Sequence, residues 1–164
     1  MSLKIVTGTD NPILRAVSKP VTDITKKTVK LIRDMADAME LEKGLGIAAP
    51  QVGENVRIFL ALLDSKKLVA MINPEFLGHS ETLCDGEEGC LSLPGEWGQV
   101  PRYTEVTLRF TDLKGRENTL KLKGFNARIV QHEMDHLDGI LFTDHVKPIA
   151  SFLQMPQFQE TERL

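Results

Sequence analysis

Near its C-terminal end the chain reads Gln131-His132-Glu133-Met134-Asp135-His136-Leu137-Asp138-Gly139, or QHEMDHLDG over residues 131–139. His132 and His136 are four apart. On an α-helix that spacing puts two imidazoles on one face, about 6 Å from each other, where both reach one ion. Glu133 then points beside the ion and is placed to take a proton from water there. The plain alternative is a surface helix carrying scattered polar residues. Against it, the flanking residues are apolar, and burying two imidazoles and a carboxylate without partners is costly. The pattern predicts a helix over about 126–138, with Phe125, Ile129, His132 and His136 along one side and Val130, Met134 and Leu137 elsewhere on it. A helix apolar nearly all round, apart from its site residues, belongs in the middle of a fold.

What surrounds that helix reads as β. RIFLALL (57–63), KLVAMIN (67–73), EVTLRFTD (105–112) and NTLKLKG (118–124) have strand composition, and DLKG (112–115) suits a hairpin turn. A second helix is predicted over about 24–41, capped by Asp23, with Thr28, Leu31, Ile32, Met35, Ala36 and Met39 as its apolar stripe. Gly44 follows it as a stop. The expected class is α+β, with mixed or antiparallel sheets packed around a buried central helix that carries H-E-x-x-H. One catalytic domain over 1–164 is the simplest organisation. The tail after Pro148 carries Ile149, Phe152 and Leu153, and its end, about 157–164, is expected to fray.

The 164 residues suit one domain with a real core. At 41% hydrophobic and 26% charged they are ordinary for a soluble protein. A net charge of -3 gives no reason to expect nucleic acid or an anionic membrane as partner. No apolar run approaches the roughly 18–20 residues of a membrane span. MSLKIVTGTDNPILR has no signal-peptide core, so the chain is expected in a cytosol. Cys84 and Cys90 make no disulfide framework and read as thiols.

Two histidines leave a catalytic ion short of the usual three protein ligands and one open position. His79 and His145 sit in loop-like surroundings and read as solvated, and neither has the spacing of a third ligand in known H-E-x-x-H arrangements. Cys90, in EEGCLSLPG (87–95), is a candidate: a thiolate is a strong, soft ligand. Alone, a single cysteine is more often a small buried hydrophobe. In GLGIAAPQVG (44–53), Gly44 and Gly46 suggest close backbone approach, and Pro50 interrupts any helix. Gln51 is either a donor for a substrate oxygen or part of a tight turn, and local sequence does not separate the two.

Three stretches together resemble the peptide deformylase family, whose motifs are G-x-G-x-A-A-x-Q, E-G-C-L-S and Q-H-E-x-D-H. Here they read Gly44-Leu45-Gly46-Ile47-Ala48-Ala49-Pro50-Gln51, Glu88-Gly89-Cys90-Leu91-Ser92, and Gln131-His132-Glu133-Met134-Asp135-His136. TDNPILRAVSKPV and INPEF (72–76) are similar too, and the likeness runs over about residues 5–147.

The resemblance implies a hydrolase that removes the formyl group from N-formylmethionyl nascent peptides. It implies one divalent metal ion held by Cys90, His132 and His136, with the fourth position left to water. Fe(II) is the family's working metal, replaceable by nickel, cobalt or zinc. Glu133 is implied as the proton carrier, with Gln51 and the Leu91 backbone N–H as oxyanion donors. The peptide is expected to lie extended along 44–46 and 89–92, against Leu45, Gly46 and Gly89. Its methionine side chain enters a pocket near Leu45, Phe125, Ile129 and His132. Glu88, Gln131 and Asp135 are expected to orient ligands from behind, an ion pair with Arg102 being an equal alternative for Asp135. Such substrates imply transient proximity to the ribosome. The long basic C-terminal helix of some members has no counterpart in QFQETERL. GEWGQV, with Trp97, replaces an arginine found near the substrate in other members. Gly86 stands where some place a bulky apolar residue. The source is a bacterial-type cytosol or, for a mature form, an organelle. A peptidase built on the same helix would not need Cys90 or Gln51, and a structural metal site would need neither Glu133 nor Gln51.

Overall fold

A computed structural model describes residues 3–146. Its spine is a five-stranded antiparallel sheet in the order β1-β2-β3-β6-β7, from β1 (Gly46–Ala48), β2 (Ile58–Leu63), β3 (Lys67–His79), β6 (Glu105–Thr111) and β7 (Glu117–Lys123). A separate two-stranded ribbon pairs β4 (Leu83–Cys90) with β5 (Leu93–Tyr103). The helices are α1 (Pro12–Arg15), α2 (Lys26–Leu41) and α3 (Gly124–Leu137). Single 3-10 turns occupy Ala49–Val52 and Phe142–Asp144. The mixed α+β class with antiparallel sheets matches the expectation. The expected tail lies outside the described residues.

The apolar run of β2 is explained by burial on both faces. Successive strand side chains point to opposite sides. Phe59, Ala61 and Leu63 pack in one cluster with Ala127, Val130, Met134 and Leu137 of α3. Ile58 and Leu60 pack in another with Ile32, Met35, Ala38 and Met39 of α2. The sheet is thus covered by α3 on one face and by α2 on the other, and β1 divides in the same way, with Ala48 on the α3 side and Ile47 on the α2 side. A third cluster joins Leu14 of α1 to Leu93, Val100, Leu141 and Phe142, with Cys90 packed against it.

Several boundaries differ from the sequence reading. The cap of α2 is Thr25, which trades hydrogen bonds with Thr28, and not Asp23, whose carbonyl accepts from the Thr28 hydroxyl. The strand read as ending at Asn73 runs on to His79. Its register slips between Ile72 and Glu75, where Asn73 adopts φ 49° and its amide pairs with both backbone groups of Val21. A bulge there absorbs Pro74, which would otherwise stop the ladder. Pro50 opens a 3-10 turn rather than breaking a helix, since the first turn requires no N–H from it. The β4–β5 ribbon lacks the alternating pattern of a half-buried strand, because much of it faces solvent.

Candidate metal centre

Three elements deliver three ligands. α3 supplies His132 and His136 at the expected i, i+4 spacing, with ring centroids 5.1 Å apart and nearly edge to face. The end of β4 supplies Cys90, where register with β5 shifts after Gly89 so that Cys90 pairs with Leu93. One ligand atom from each of Cys90, His132 and His136 lies within 4.8 Å of the others, and the thiol is 3.3 Å from His136 Nε2. One sulfur and two nitrogens converging this closely fit a divalent transition-metal ion. Two observations support that fit. His136 is almost fully buried, and the nitrogen it turns to the thiol is Nε2. His132 donates from Nδ1 to Glu88 Oε1 at 2.8 Å, which leaves Nε2 for an ion.

Charge around the ligands is organised by Glu88. Burial raises its pKa, but hydrogen bonds from His132 and Arg102 outweigh that and lower it to about 2. Arg102 grips both Glu88 oxygens, Nε at 2.9 Å and Nη2 at 3.0 Å, and gives Nη1 to Asp135 at 2.7 Å. Arg128 donates to Glu88 Oε2 at 2.8 Å. For His132, burial opposes the charged ring, yet bonds to Cys90 and Glu88 raise its pKa to about 10. The same thiol and carboxylate would favour a cation held in the proton's place. Burial drives His136 well below its ordinary value, so this ring is neutral and free to ligate.

Glu133 lies fully buried, and burial raises its pKa to about 7. Its Oε2 has no hydrogen-bond partner among the described residues. Its other oxygen presses against β1: a Cβ placed on Gly46 would stand 2.3 Å from Oε1. Gly46 is therefore needed for the approach of the carboxylate, as the glycine spacing suggested. Of the two readings of Gln51, the structure shows the turn. Its Oε1 accepts from Ala48 N–H at 2.9 Å and closes the turn, while Nε2 donates to Ser92 Oγ at 3.2 Å and Cys90 Sγ at 3.5 Å.

A cleft of about 450 Å³ opens over these groups. Leu45, Gly46, Gln51, Glu88, Gly89, Cys90, Leu91, Phe125, Ile129, His132 and Glu133, all singled out from sequence, line it together. Trp97 is 69% exposed at the rim, and its ring fills the space a side chain on Gly89 would need, 2.6 Å from that Cβ position.

Of the three residues expected behind the ligands, Gln131 does something else and Asp135 takes the second of its two readings. Gln131 touches no ligand. It holds the backbone N–H and C=O of Tyr103 at 3.0 and 2.9 Å and the Ala127 carbonyl at 2.9 Å, which pins α3 to β5. Asp135 takes the ion-pair alternative with Arg102 and also bonds His145 Nε2 at 2.9 Å. His145 is thus tied to α3 and is not merely solvated. Of these three, it is Glu88 that bonds a ligand side chain directly. Sequence reasoning missed Arg128, Ser92 and Phe142, the last stacked on His132 at 6.2 Å between centroids. Arg128 falls one turn before His132, but nothing local marks it off from a solvent-facing arginine.

The sequence matches the polypeptide deformylase family over residues 2–151. The peptide deformylase of Halothermothrix orenii is 46% identical over 141 residues, spanning 85% of this chain and 91% of the relative. That of Desulforudis audaxviator is 42% identical over 142 residues, spanning 85% and 90%. Among solved structures, peptide deformylase from Thermotoga maritima superposes with a TM-score of 0.86 at 36% identity, covering 90% of this chain and 99% of that one. A Met-Ala-Ser-bound class I type b peptide deformylase from Acinetobacter baumannii gives 0.84 at 36% identity, covering 89% and 99%. Sequence, fold and a Cys/His/His centre agree, and the chain belongs to the peptide deformylase family.

Proposed function

We propose that Cys90, His132, His136 and Glu133 carry out the family's reaction on this chain: hydrolysis of the formyl amide of N-formylmethionyl nascent polypeptides, with release of formate. The observation that carries this reading is the convergence of a thiol and two imidazoles within 4.8 Å beside a buried carboxylate with a free oxygen. A structural metal site would have no use for that carboxylate.

Cys90, His132 and His136 would hold one divalent cation, which supplies Lewis acidity at the formyl oxygen and brings the pKa of a water down toward neutrality. Glu133 takes the proton from the attacking water and passes it to the departing amine nitrogen. Charge building on the formyl oxygen meets the Gln51 amide and the Leu91 backbone N–H, each such donor being worth about 2.7–4 kcal/mol in the barrier. Gly46 gives Glu133 its room, and Glu88 holds His132 in the ligating tautomer. The peptide runs extended past Leu45, Gly46 and Gly89. Main-chain pairing there tolerates many sequences. Phe125 and Ile129 line the pocket for the methionine side chain.

For the ion, Fe(II) is our choice, with zinc, nickel or cobalt able to replace it; one soft sulfur and two imidazoles suit all four. We take α3 as the central helix presenting H-E-x-x-H, and residues 1–164 as one catalytic unit, because one sheet carries the clusters on both of its faces. A nascent-chain substrate puts the protein in the cytoplasm, or in an organelle as a mature form, with transient proximity to the ribosome.

Anaerobically prepared protein offered formyl-Met-Ala-Ser, acetyl-Met-Ala-Ser and an internally cleavable peptide is expected to release formate from the first and to leave the others intact. Cleavage of the internal peptide, or equal turnover of the acetyl substrate, would refute the assignment.

A further inference from the structure

A buried pair of polar side chains joins the main sheet to the metal ligands. Gln51 is 1% exposed and Ser92 0% exposed, so both side chains are shut off from solvent. A Gln amide offers one oxygen and two N–H hydrogens. The oxygen, Oε1, accepts from the Ala48 N–H at 2.9 Å, which fixes the end of the amide that is nitrogen. Nε2 then faces the turn between β4 and β5, donating to Ser92 Oγ at 3.2 Å and to Cys90 Sγ at 3.5 Å. The Ser92 hydroxyl thus takes one hydrogen and leaves the other directed at the sulfur. That hydroxyl is not what holds the two segments together. The backbone does so: the Val6 N–H donates to the Gln51 carbonyl at 2.7 Å and the Gly8 N–H to the Ser92 carbonyl at 3.1 Å, so one N-terminal stretch fastens both. What the hydroxyl adds is the direction of the amide. An N–H bonded to a thiolate draws electron density from the sulfur and weakens its donation to an ion.

We propose that Ser92 is a positioning residue: through the Gln51 amide it aims an N–H at the Cys90 sulfur and so limits how strongly that ligand donates. A sulfur that donates less leaves the ion a stronger Lewis acid toward the formyl oxygen. Ser92 touches neither substrate nor ion in this scheme and acts only by holding Gln51. The inference rests on the proposed ligation by Cys90 and on the proposed deformylation.

The test uses protein loaded anaerobically with cobalt(II), whose sulfur-to-cobalt charge-transfer band reports the electron density on the sulfur by its wavelength. Ser92→Ala is expected to move the band to longer wavelength, because the N–H no longer drains the sulfur. In the same variant kcat for formyl-Met-Ala-Ser should fall about tenfold, the scale of one hydrogen bond, with KM little changed. Gln51→Leu removes the donor outright and should move the band at least as far, which keeps the inference open to refutation should Ser92→Ala fail to fold. A hydroxyl that only packs would alter thermal stability and leave the band in place. A band at the wild-type wavelength in either variant, or a shifted band in Ser92→Ala with kcat unchanged, overturns the inference and leaves the ligand set standing. Cobalt bound by wild type without any sulfur band removes Cys90 from the ligand set, and the proposed function with it.

Discussion

Two neighbouring faces of α3 treat polar residues in opposite ways. One carries Gln131 and Asp135, whose side chains are engaged by the Tyr103 backbone, Arg102 and His145. The other carries His132, Glu133 and His136. It includes two of the three buried side-chain atoms without a hydrogen-bond partner among the described residues, Glu133 Oε2 and His136 Nδ1, the third being Ser18 Oγ. An unpaired buried polar atom costs about 1–3 kcal/mol. Both faces derive from the same six-residue motif, so composition does not distinguish them. Partners do: the first face fastens the helix to β5, and the second leaves one oxygen of Glu133 without a partner among the described residues, on the helix that carries two of the Cys/His/His cluster.

Substitutions on the two faces should therefore separate activity from stability. The largest effect is expected for Glu133→Ala, which should cut formate release by about 10²–10⁴-fold, the usual worth of a positioned acid–base group, while metal content measured by atomic absorption stays at the wild-type level. Loss of metal in that variant would mean that Glu133 belongs to the ligand set. Gly46→Ala comes next. Its Cβ must displace the Glu133 carboxylate, and misplacement on the order of an ångström costs about 10²-fold in rate.

Glu88→Ala joins the two faces, because Glu88 bonds His132 on one side and Arg102 on the other. We expect metal affinity to fall about 10–100-fold, by competition with a chelator. Breaking a buried ion pair also costs about 3–5 kcal/mol, readable in urea unfolding. Gln131→Leu is the converse of Glu133→Ala: about 1–3 kcal/mol less stable, from the unpaired Tyr103 backbone groups, with kcat/KM within a few-fold of wild type. A large drop in kcat/KM without a stability change would dissolve the distinction between the faces.

The smallest effect belongs to the β6–β7 hairpin, remote from both faces. Backbone N–H groups of Arg116 and Lys114 and the side chains of Asn118 and Arg116 hold the Asp112 carboxylate, and its pKa is lowered to about 2. Because the folded value lies below the ordinary 3.8, its contribution is present above that value and is lost as pH falls from about 4 toward 2. Asp112→Asn should thus be slightly less stable than wild type at pH 7 by thermal melting, with the difference vanishing near pH 2.

How much of this could be read from sequence follows from how local each signal is. The i, i+4 histidines and the stripe of α2 are short-range patterns, and both held. Cys90 is 42 residues before His132, and no local rule ties them; the resemblance supplied that link. The function of Gln131 was misread because its partner, Tyr103, arrives on β5, a strand whose solvent-facing residues give no alternating pattern, whereas the Arg102 ion pair of Asp135 was one of its two readings. Arg128 was missed for a similar reason: only the fold reveals that Gly86 opposite it leaves space for a guanidinium.

X-ray absorption at the metal edge of anaerobically loaded protein tests the central claim most directly. One sulfur and two imidazole nitrogens are expected around the ion, with the sulfur contribution gone in Cys90→Ser. A shell of nitrogen and oxygen alone, or a spectrum indifferent to Cys90→Ser, would contradict the account.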